Sequence, residues 1–104
     1  MSVVRLNNSA TGQAIKDIRL GQLRSVIITD DGFEPSVLSV NTGDTIIFTN
    51  NGTRAQTVTS DLFGSPLLFP GDSYRVAFLG NESVGYWSLS GDGFRGEIRI
   101  ESRG

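Results

Sequence analysis

Apolar and polar residues alternate with a period of two along several short segments, a pattern typical of strands with one buried face. The clearest case is residues 97–101, where Ile98 and Ile100 lie between charged residues and are predicted to face inward. Residues 73–79 alternate in the same way. Five further strands are predicted from runs of β-branched and aromatic residues, at 25–29, 37–40, 45–49, 56–59 and 86–89.

Turn-forming residues separate these segments at short, regular intervals. Asp30-Asp31-Gly32, Asn41-Thr42-Gly43-Asp44 and Asn50-Asn51-Gly52 each follow a predicted strand. Short strands with such spacing predict an all-β fold, a Greek-key β-sandwich of about seven or eight strands. The predicted core takes one apolar face of each strand: Val26, Ile28, Val40, Ile46, Phe48, Val58, Val76, Phe78, Trp87, Ile98 and Ile100.

The first 24 residues are less regular than the remainder of the chain. Ile15 and Ile18 have near-helical spacing, but Gly12 and Gly21 interrupt the segment. We interpret residues 1–24 as an N-terminal extension or edge strand, with residues 14–23 extended or forming a short helical turn packed on the sandwich. Residues 25–104 are predicted to form the core sandwich of a single domain spanning 1–104.

Composition excludes several classes of function. The formal net charge of −2 gives no reason to expect a nucleic-acid partner. With no Cys and no His, the chain lacks disulfides, thiolates and imidazoles, so conventional Ser-His catalysis is excluded. No apolar run is long enough to span a bilayer, and the N-terminus does not have the pattern of a signal peptide.

Several segments resemble, in order and spacing, those of the cupredoxins, the small blue-copper electron-transfer domains. Residues 31–35 resemble the family's Gly-Phe-x-Pro segment, and residues 40–50 its Val-x-x-Gly-Asp-x-Val-x-Phe-x-Asn segment. Residues 68–74 resemble Leu-x-Pro-Gly-x-Ser-Phe, and residues 95–98 the closing Gly-x-Ile strand. The resemblance covers residues 26–101 and implies a cupredoxin-type sandwich.

The resemblance ends at the copper ligands. The family's loop runs Tyr-x-Cys-x-x-His-x-x-Met-x-Gly, whereas this chain has Ser88 at the Cys position and Gly91 at the second His position. Phe94 stands at the axial Met position, and Gln56 stands where the first His is expected. A blue-copper site needs soft sulfur and imidazole together. We therefore expect no metal, no cofactor and no electron transfer.

These substitutions predict a non-catalytic structural or protein-interaction domain that is extracellular or exported, as the resemblance implies. The partner is expected to be another protein or a second copy of the chain. The family's apolar docking patch would correspond here to a contact surface of Phe63, Pro66, Leu67, Gly93 and Phe94. We expect Phe94 to fill the space of the lost metal, with an exposed contact role as the alternative.

Two other functions remain open from the sequence. The vacated pocket could bind a small molecule or an ion, which a pocket lined by Gln56, Ser88 and Phe94 would favour. Alternatively, the chain could be an engineered or decayed copy of a redox domain, kept as a scaffold without a ligand. Gln56 is interpreted as a hydrogen-bonding residue rather than a residual copper ligand, and Ser88 as a buried hydroxyl bonded to the backbone.

Overall fold

The computed structural model describes residues 21–80, 82–90 and 93–101, and the chain forms seven strands within those ranges. The early residues Met1 to Leu20, and with them most of the predicted N-terminal extension, lie outside the described residues, as does Gly91. The strands are β1 (Leu23–Thr29), β2 (Gly32–Glu34), β3 (Val37–Asn41), β4 (Thr45–Asn50), β5 (Ser73–Ala77), β6 (Val84–Trp87) and β7 (Arg95–Glu101).

The strands form two sheets, as the predicted sandwich requires. One sheet has the order β2-β1-β4-β5, and the other has the order β3-β7-β6. Strands β1 and β4 are parallel, with Val26 opposite Phe48, and β3 and β7 are parallel, with Leu38 opposite Ile98. Because these parallel partners are far apart in sequence, the chain must cross between the sheets to connect them. The apolar side chains on the inner faces of the two sheets meet in one core.

The core confirms most of the predicted inward positions. Eight predicted residues are buried, and Val76 and Ile100 are partly buried against the same cluster. Ile98 lies in β7, the central strand of its sheet, and has no exposed surface. The core also includes buried residues that the sequence analysis did not name: Phe33, Leu38, Leu68, Val84 and Tyr86.

The predicted core position of Trp87 is wrong. Tyr86 points inward instead, where its ring packs edge-on against Phe33 at 4.7 Å and Phe48 at 5.2 Å between centroids. Successive side chains of a strand face opposite sides, so Trp87 lies on the outer face. There the Arg95 guanidinium lies 5.8 Å from the centroid of the Trp87 ring, an arrangement that suits a cation–π contact.

The ring of Tyr86 explains why the residue opposite it, at position 96, is a glycine. Gly96 is the β7 partner of Tyr86, and a Cβ atom on Gly96 would collide with the end of the tyrosine ring. The ring therefore lies across the space that a side chain at position 96 would fill. An aromatic residue covering a cross-strand glycine in this way fixes the pairing of β6 with β7.

The predicted strand at residues 56–59 is present only as isolated bridges. Gln56 pairs with Leu68, and Thr59 pairs with Gly64 and Trp87. The intervening groups bond to side chains instead: the Val58 N–H donates to Ser65 Oγ at 2.9 Å, and the Thr57 N–H donates to Ser88 Oγ at 3.1 Å. A ladder cannot continue where hydroxyl groups take its donors.

Candidate functional site

The position of Gln56 is set by Asn50, the last residue of β4. Asn50 is fully buried, and its Nδ2 donates to the carbonyl oxygens of Arg54 and Leu68, both at 2.8 Å. Its Oδ1 accepts from the Gly52 N–H at 2.9 Å. This one side chain holds the loop after β4 against the segment that contains Leu68. Gln56 and Leu68 then exchange two backbone hydrogen bonds, of 2.9 and 2.7 Å.

The position of Ser88 is set from the other sheet. Trp87 ends β6, and its backbone exchanges two hydrogen bonds of 2.8 Å with Thr59. This pairing brings Ser88 beside Gln56 and Thr57, although more than thirty residues separate them in sequence. Ser88 Oγ donates to Gln56 Oε1 at 2.7 Å. The structure thus brings into direct contact two of the four positions that the sequence analysis matched to copper ligands.

Ser88 has no remaining hydrogen-bonding capacity. Besides donating to Gln56, its Oγ accepts from the N–H groups of Thr57 at 3.1 Å and Ser90 at 3.3 Å. A hydroxyl has one donor hydrogen and two lone pairs, all of which are engaged here. With the Gln56 amide in this orientation, Oε1 accepts the Ser88 hydroxyl hydrogen. Ser88 confirms the interpretation of a buried hydroxyl bonded to the backbone.

Gln56 is only half satisfied by this arrangement. Its side chain is 1% exposed, yet Nε2 has no hydrogen-bond partner in the described structure. Leaving a buried donor unpaired costs on the order of 1–3 kcal/mol. The unpaired atom carries N–H groups, so it would attract an acceptor such as a water, carbonyl or anion, and it would not attract a cation.

Phe94 lies beside the start of β2. It is half-buried against the core, with its ring centroid 6.4 Å from that of Phe33 and its edge close to Gly32. Gly93 before it is exposed and has a φ of 74°, a conformation that suits glycine. The described contacts of Phe94 are with β2 rather than with Gln56 or Ser88. Whether it fills the space of a lost metal stays a prediction.

Two further residues, which the sequence analysis did not place in this network, also belong to it. Thr57 Oγ1 accepts from the Leu89 N–H at 2.8 Å and lies 3.0 Å from Thr59 Oγ1. Ser90 Oγ donates to the Ala55 carbonyl oxygen at 2.9 Å. Both bonds link residues adjacent to Gln56 to the loop after Trp87. Hydroxyl residues near Gln56 and Ser88 were the only sequence signal for this network. Their hydrogen bonds could be identified only from the tertiary structure, because the partners are far apart in sequence.

These residues do not fit a blue-copper ion. The donor set of such a site is a thiolate with two imidazoles, and the whole chain has no Cys and no His. Ser88 Oγ has no free lone pair, and the free atom of Gln56 is a donor. Within the described ranges there is also no group of three Asp, Glu, His or Cys side chains suited to a metal ion.

The five residues of the predicted contact surface do not form one described cluster. Phe63 packs against Phe78 at 5.9 Å and Tyr74 at 6.5 Å between ring centroids, whereas Phe94 contacts Gly32 and Phe33. Pro66 is exposed and Leu67 is 49% exposed. The structure therefore places Phe63 and Phe94 against different strands. Their role in binding stays a prediction.

Comparison with known proteins was made by sequence and by structure. No protein-family model matches the chain, and no curated protein matches it significantly. Solved structures do match. A purple cupredoxin from Nitrosopumilus maritimus superposes with a TM-score of 0.71 at 20% identity, covering 75% of this chain and 99% of its own. An oxidised amicyanin carrying one substitution superposes at 0.70 and 20% identity, covering 76% and 82%.

A third similar structure is the copper-containing nitrite reductase from Thermus scotoductus. It has a TM-score of 0.70 and 22% identity, and the match covers 91% of this chain but only 25% of the reductase. This chain therefore corresponds to one quarter of that protein. Identities this low establish the arrangement of strands and not a shared activity. Together with the two sheets described above, these matches show that the chain has the cupredoxin fold.

Proposed function

We propose that this protein is a copper-free cupredoxin-like domain with a structural or protein-interaction role and no catalytic activity. The observation that carries the proposal is the direct hydrogen bond between Ser88 and Gln56, two positions where copper ligands would stand. Side chains that would have to point at a metal instead bond to each other and to the backbone. The proposal also fits the lack of His and Cys throughout the chain.

The absence of catalysis is proposed because the hydroxyl groups of Ser88 and Ser90 have no neighbouring base among their hydrogen-bond partners. A serine nucleophile needs a neighbouring base to remove its proton. Ser88 donates that proton to an amide oxygen, and Ser90 donates its own to the Ala55 carbonyl. Neither acceptor can act as a general base near neutral pH. We infer that neither serine performs acyl or phosphoryl transfer, and incubation with ester substrates should show no turnover above that of a Ser88→Ala variant.

An interaction role is supported by exposed apolar residues on the loop before β5. Leu67 and Phe69 are 49% and 56% exposed, while Leu68 between them is buried at 3%. Exposed apolar side chains next to a rigid buried anchor suit contact with another protein or a second copy. If a second copy is the partner, sedimentation velocity should show association that Leu67→Ser with Phe69→Ser abolishes. Association unchanged by these substitutions would exclude this loop.

The export of the protein is proposed on the resemblance alone. Within the residues that the structure describes, no helix is long and apolar enough to cross a bilayer. Localisation of the full reading frame with a fused reporter would test export, and retention inside the cell would contradict it.

Copper titration tests the central proposal. Addition of Cu(II) to the chain at neutral pH should give neither tight binding nor an intense visible band, because a thiolate and both imidazoles are missing. The matched control is the variant Gln56→His, Ser88→Cys, Gly91→His and Phe94→Met, which restores the family's donor set. Sub-micromolar binding with strong visible absorption in the unmodified chain would overturn the proposal. A colourless but folded control would show that the loops have a different shape from those of copper-binding relatives.

A small-molecule site is the second candidate, and the unpaired Gln56 Nε2 is the observation that favours it. Its ligand would present an acceptor oxygen or a negative charge. Neither of the two grooves described on the surface is lined by Gln56, Ser88 or Phe94, so direct access from them is not indicated. NMR of the Gln56 side-chain amide during titration with formate and acetamide provides the test. Unchanged resonances at high ligand concentration would eliminate this function.

A further inference from the structure

The two described sheets have four edge strands, β2, β5, β3 and β6, and three of these edges are short or capped. A row of unpaired N–H and C=O groups on an edge is a template for another strand, so folded proteins usually blunt their edges. Strand β2 is blunted by its length, because it spans only Gly32–Glu34. Pro35, which has no N–H group, follows it directly.

Hydrogen bonds cap the edges of β3 and β6. On β3, the Ser39 carbonyl accepts from the Arg24 guanidinium at 3.1 Å, and the Asn41 N–H donates to Asp44 Oδ2 at 3.0 Å. On β6, the last residue is bridged on its outer side to Thr59. Both edges therefore have few main-chain groups left to pair with another strand.

Strand β5 is the edge that stays open. The Phe78 N–H donates to the Asp44 carbonyl at 2.9 Å, so the even-numbered residues of the antiparallel β4–β5 ladder bond to β4. The odd-numbered residues point their N–H and C=O groups away from β4; they are Ser73, Arg75 and Ala77. All three residues are exposed, and in the described part of the chain these main-chain groups have no hydrogen-bond partner.

Arg75 gives this edge a positive charge. Its side chain is exposed and forms no ion pair with any residue that the structure describes. A second copy that paired antiparallel about the middle of β5 would place two Arg75 side chains directly opposite each other, which is destabilising. A strand of another protein with an acidic side chain opposite Arg75 would instead be stabilised by the pair of opposite charges.

An apolar groove of about 350 Å³ lies beside the carboxyl end of β5. Val76 and Leu79 line it on one side, and Leu62 and Phe63 line it from the preceding loop. Leu62 and Leu79 are 73% and 77% exposed. Because successive side chains of a strand face opposite sides, Val76 faces the groove while Arg75 faces outward. In an added strand, the residue next to the acidic one would therefore lie against the groove, where an apolar side chain fits.

We propose that the β5 edge binds an extended segment of another protein as an added strand in which acidic and apolar residues alternate. The outward main-chain groups of β5 supply the hydrogen bonds, Arg75 pairs with an acidic side chain, and the groove receives the neighbouring apolar side chain. This assignment names the kind of partner for the protein-interaction role proposed above, and it depends on that role.

Two capped synthetic peptides test the proposal, one alternating glutamate with valine and the other alternating lysine with valine. The glutamate peptide, added to the full chain, should slow hydrogen exchange at the N–H groups of Ser73, Arg75 and Ala77, measured by NMR. It should bind at least about threefold more tightly than the lysine peptide, because opposite charges across a strand pair are stabilising. Unchanged exchange at these three residues with millimolar peptide would overturn the proposal.

Two variants separate the charge from the main-chain contacts. Arg75→Glu should reverse the preference between the two peptides, whereas the matched control Arg95→Glu, at an exposed residue of the other sheet, should leave it unchanged. Ala77→Pro removes one outward N–H group, which an edge strand tolerates, and should weaken binding of the glutamate peptide by about fivefold. Slow exchange retained at the Phe48 N–H would show that each variant is folded.

The remaining outcomes distinguish this edge from other modes of association. A preference for the glutamate peptide that survives Arg75→Glu would overturn the pairing of Arg75 with an acid. Protection of the β5 edge that grows with protein concentration in the absence of peptide would overturn the proposal in favour of a second copy. If neither peptide binds while Leu67→Ser with Phe69→Ser abolishes association, the interaction role stands and the assignment of this edge is wrong.

Discussion

Buried polar side chains near the two ends of β4 differ in how completely they are hydrogen-bonded. Before its first residue, Asp44 is 2% exposed and uses both carboxylate oxygens, accepting from the Gln22 and Asn41 N–H groups at 2.7 and 3.0 Å. Arg24 adds an ion pair with Asp44 at 3.7 Å. Beyond its last residue, Gln56 is equally buried but uses only its oxygen.

The difference separates a side chain whose two oxygens both accept hydrogen bonds from one whose amide nitrogen has no partner in the described structure. Asp44 accepts from Asn41 within the local turn and from Gln22 before β1, so one carboxylate joins the turn to the segment that leads into β1. Gln56 and Ser88 meet only because two sheets bring them together, and their atoms satisfy each other incompletely. Their contact leaves Gln56 Nε2 without a hydrogen-bond partner in the described structure.

The largest effect on stability is expected at Asp44, whose two carboxylate oxygens both accept hydrogen bonds. Asp44→Ala removes the buried carboxylate that accepts from two part-buried backbone N–H groups, and it should lower the free energy of unfolding by about 3 kcal/mol. Urea denaturation measures it. Asp72→Ala is the matched control, since Asp72 is exposed and accepts a single bond, from the Phe69 N–H at 2.9 Å. Equal losses for the two variants would show that burial at Asp44 confers no special role.

A smaller effect on stability is expected at Ser88, the hydrogen-bond partner of Gln56. Ser88→Ala leaves the Thr57 N–H and Gln56 Oε1 without their partner and should cost about 1–3 kcal/mol, measured in the same way. Ser90→Ala, which removes a single bond at an exposed residue, should cost less. Adding Gln56→Met to Ser88→Ala should recover part of the loss, because both buried partners become apolar. Strictly additive losses would show that the two positions do not act as a pair.

The smallest effect on stability is expected at Tyr86, in the core between the two ends. Its hydroxyl is buried without a partner, and burial raises the pKa of Tyr86 above its usual range. Tyr86→Phe keeps the ring contacts and should leave stability at neutral pH unchanged or higher by up to about 1 kcal/mol. If Tyr86→Phe instead lowered the free energy of unfolding by more than about 1 kcal/mol, the hydroxyl would have to make a hydrogen bond that the described structure does not show.

The raised pKa of Tyr86 also predicts a pH dependence. Below about pH 10 the folded and unfolded states both hold the phenol proton, so stability is at its full value there. As pH rises further, the unfolded chain releases the proton while the folded protein retains it, so stability falls. Tyr86→Phe should therefore weaken the alkaline loss, measured by urea denaturation between pH 9 and 11, and Tyr74→Phe serves as the control.

The sequence by itself indicated six of the seven described strands, an all-β sandwich and the absence of a blue-copper donor set, but it missed β2 and predicted a strand at residues 56–59 that is present only as bridges. Period-two alternation at Ile98 and Ile100 and the turn at Asn41–Asp44 are local signals that burial and hydrogen bonding then satisfy. The missing thiolate and imidazoles are a matter of composition, which folding cannot change.

Only the tertiary structure decided which neighbour of an aromatic pair is buried and which polar atoms are paired. Tyr86 and Trp87 are both apolar enough for the core, and the inward position of Tyr86 depends on the glycine that faces it at position 96 on β7. Likewise, Gln56 follows β4 in one sheet and Ser88 follows β6 in the other. Their 2.7 Å hydrogen bond and the unpaired Gln56 Nε2 therefore cannot be predicted from the local sequence. A short-range pattern fixes the face of a strand, whereas contacts across the sandwich depend on the register of both sheets.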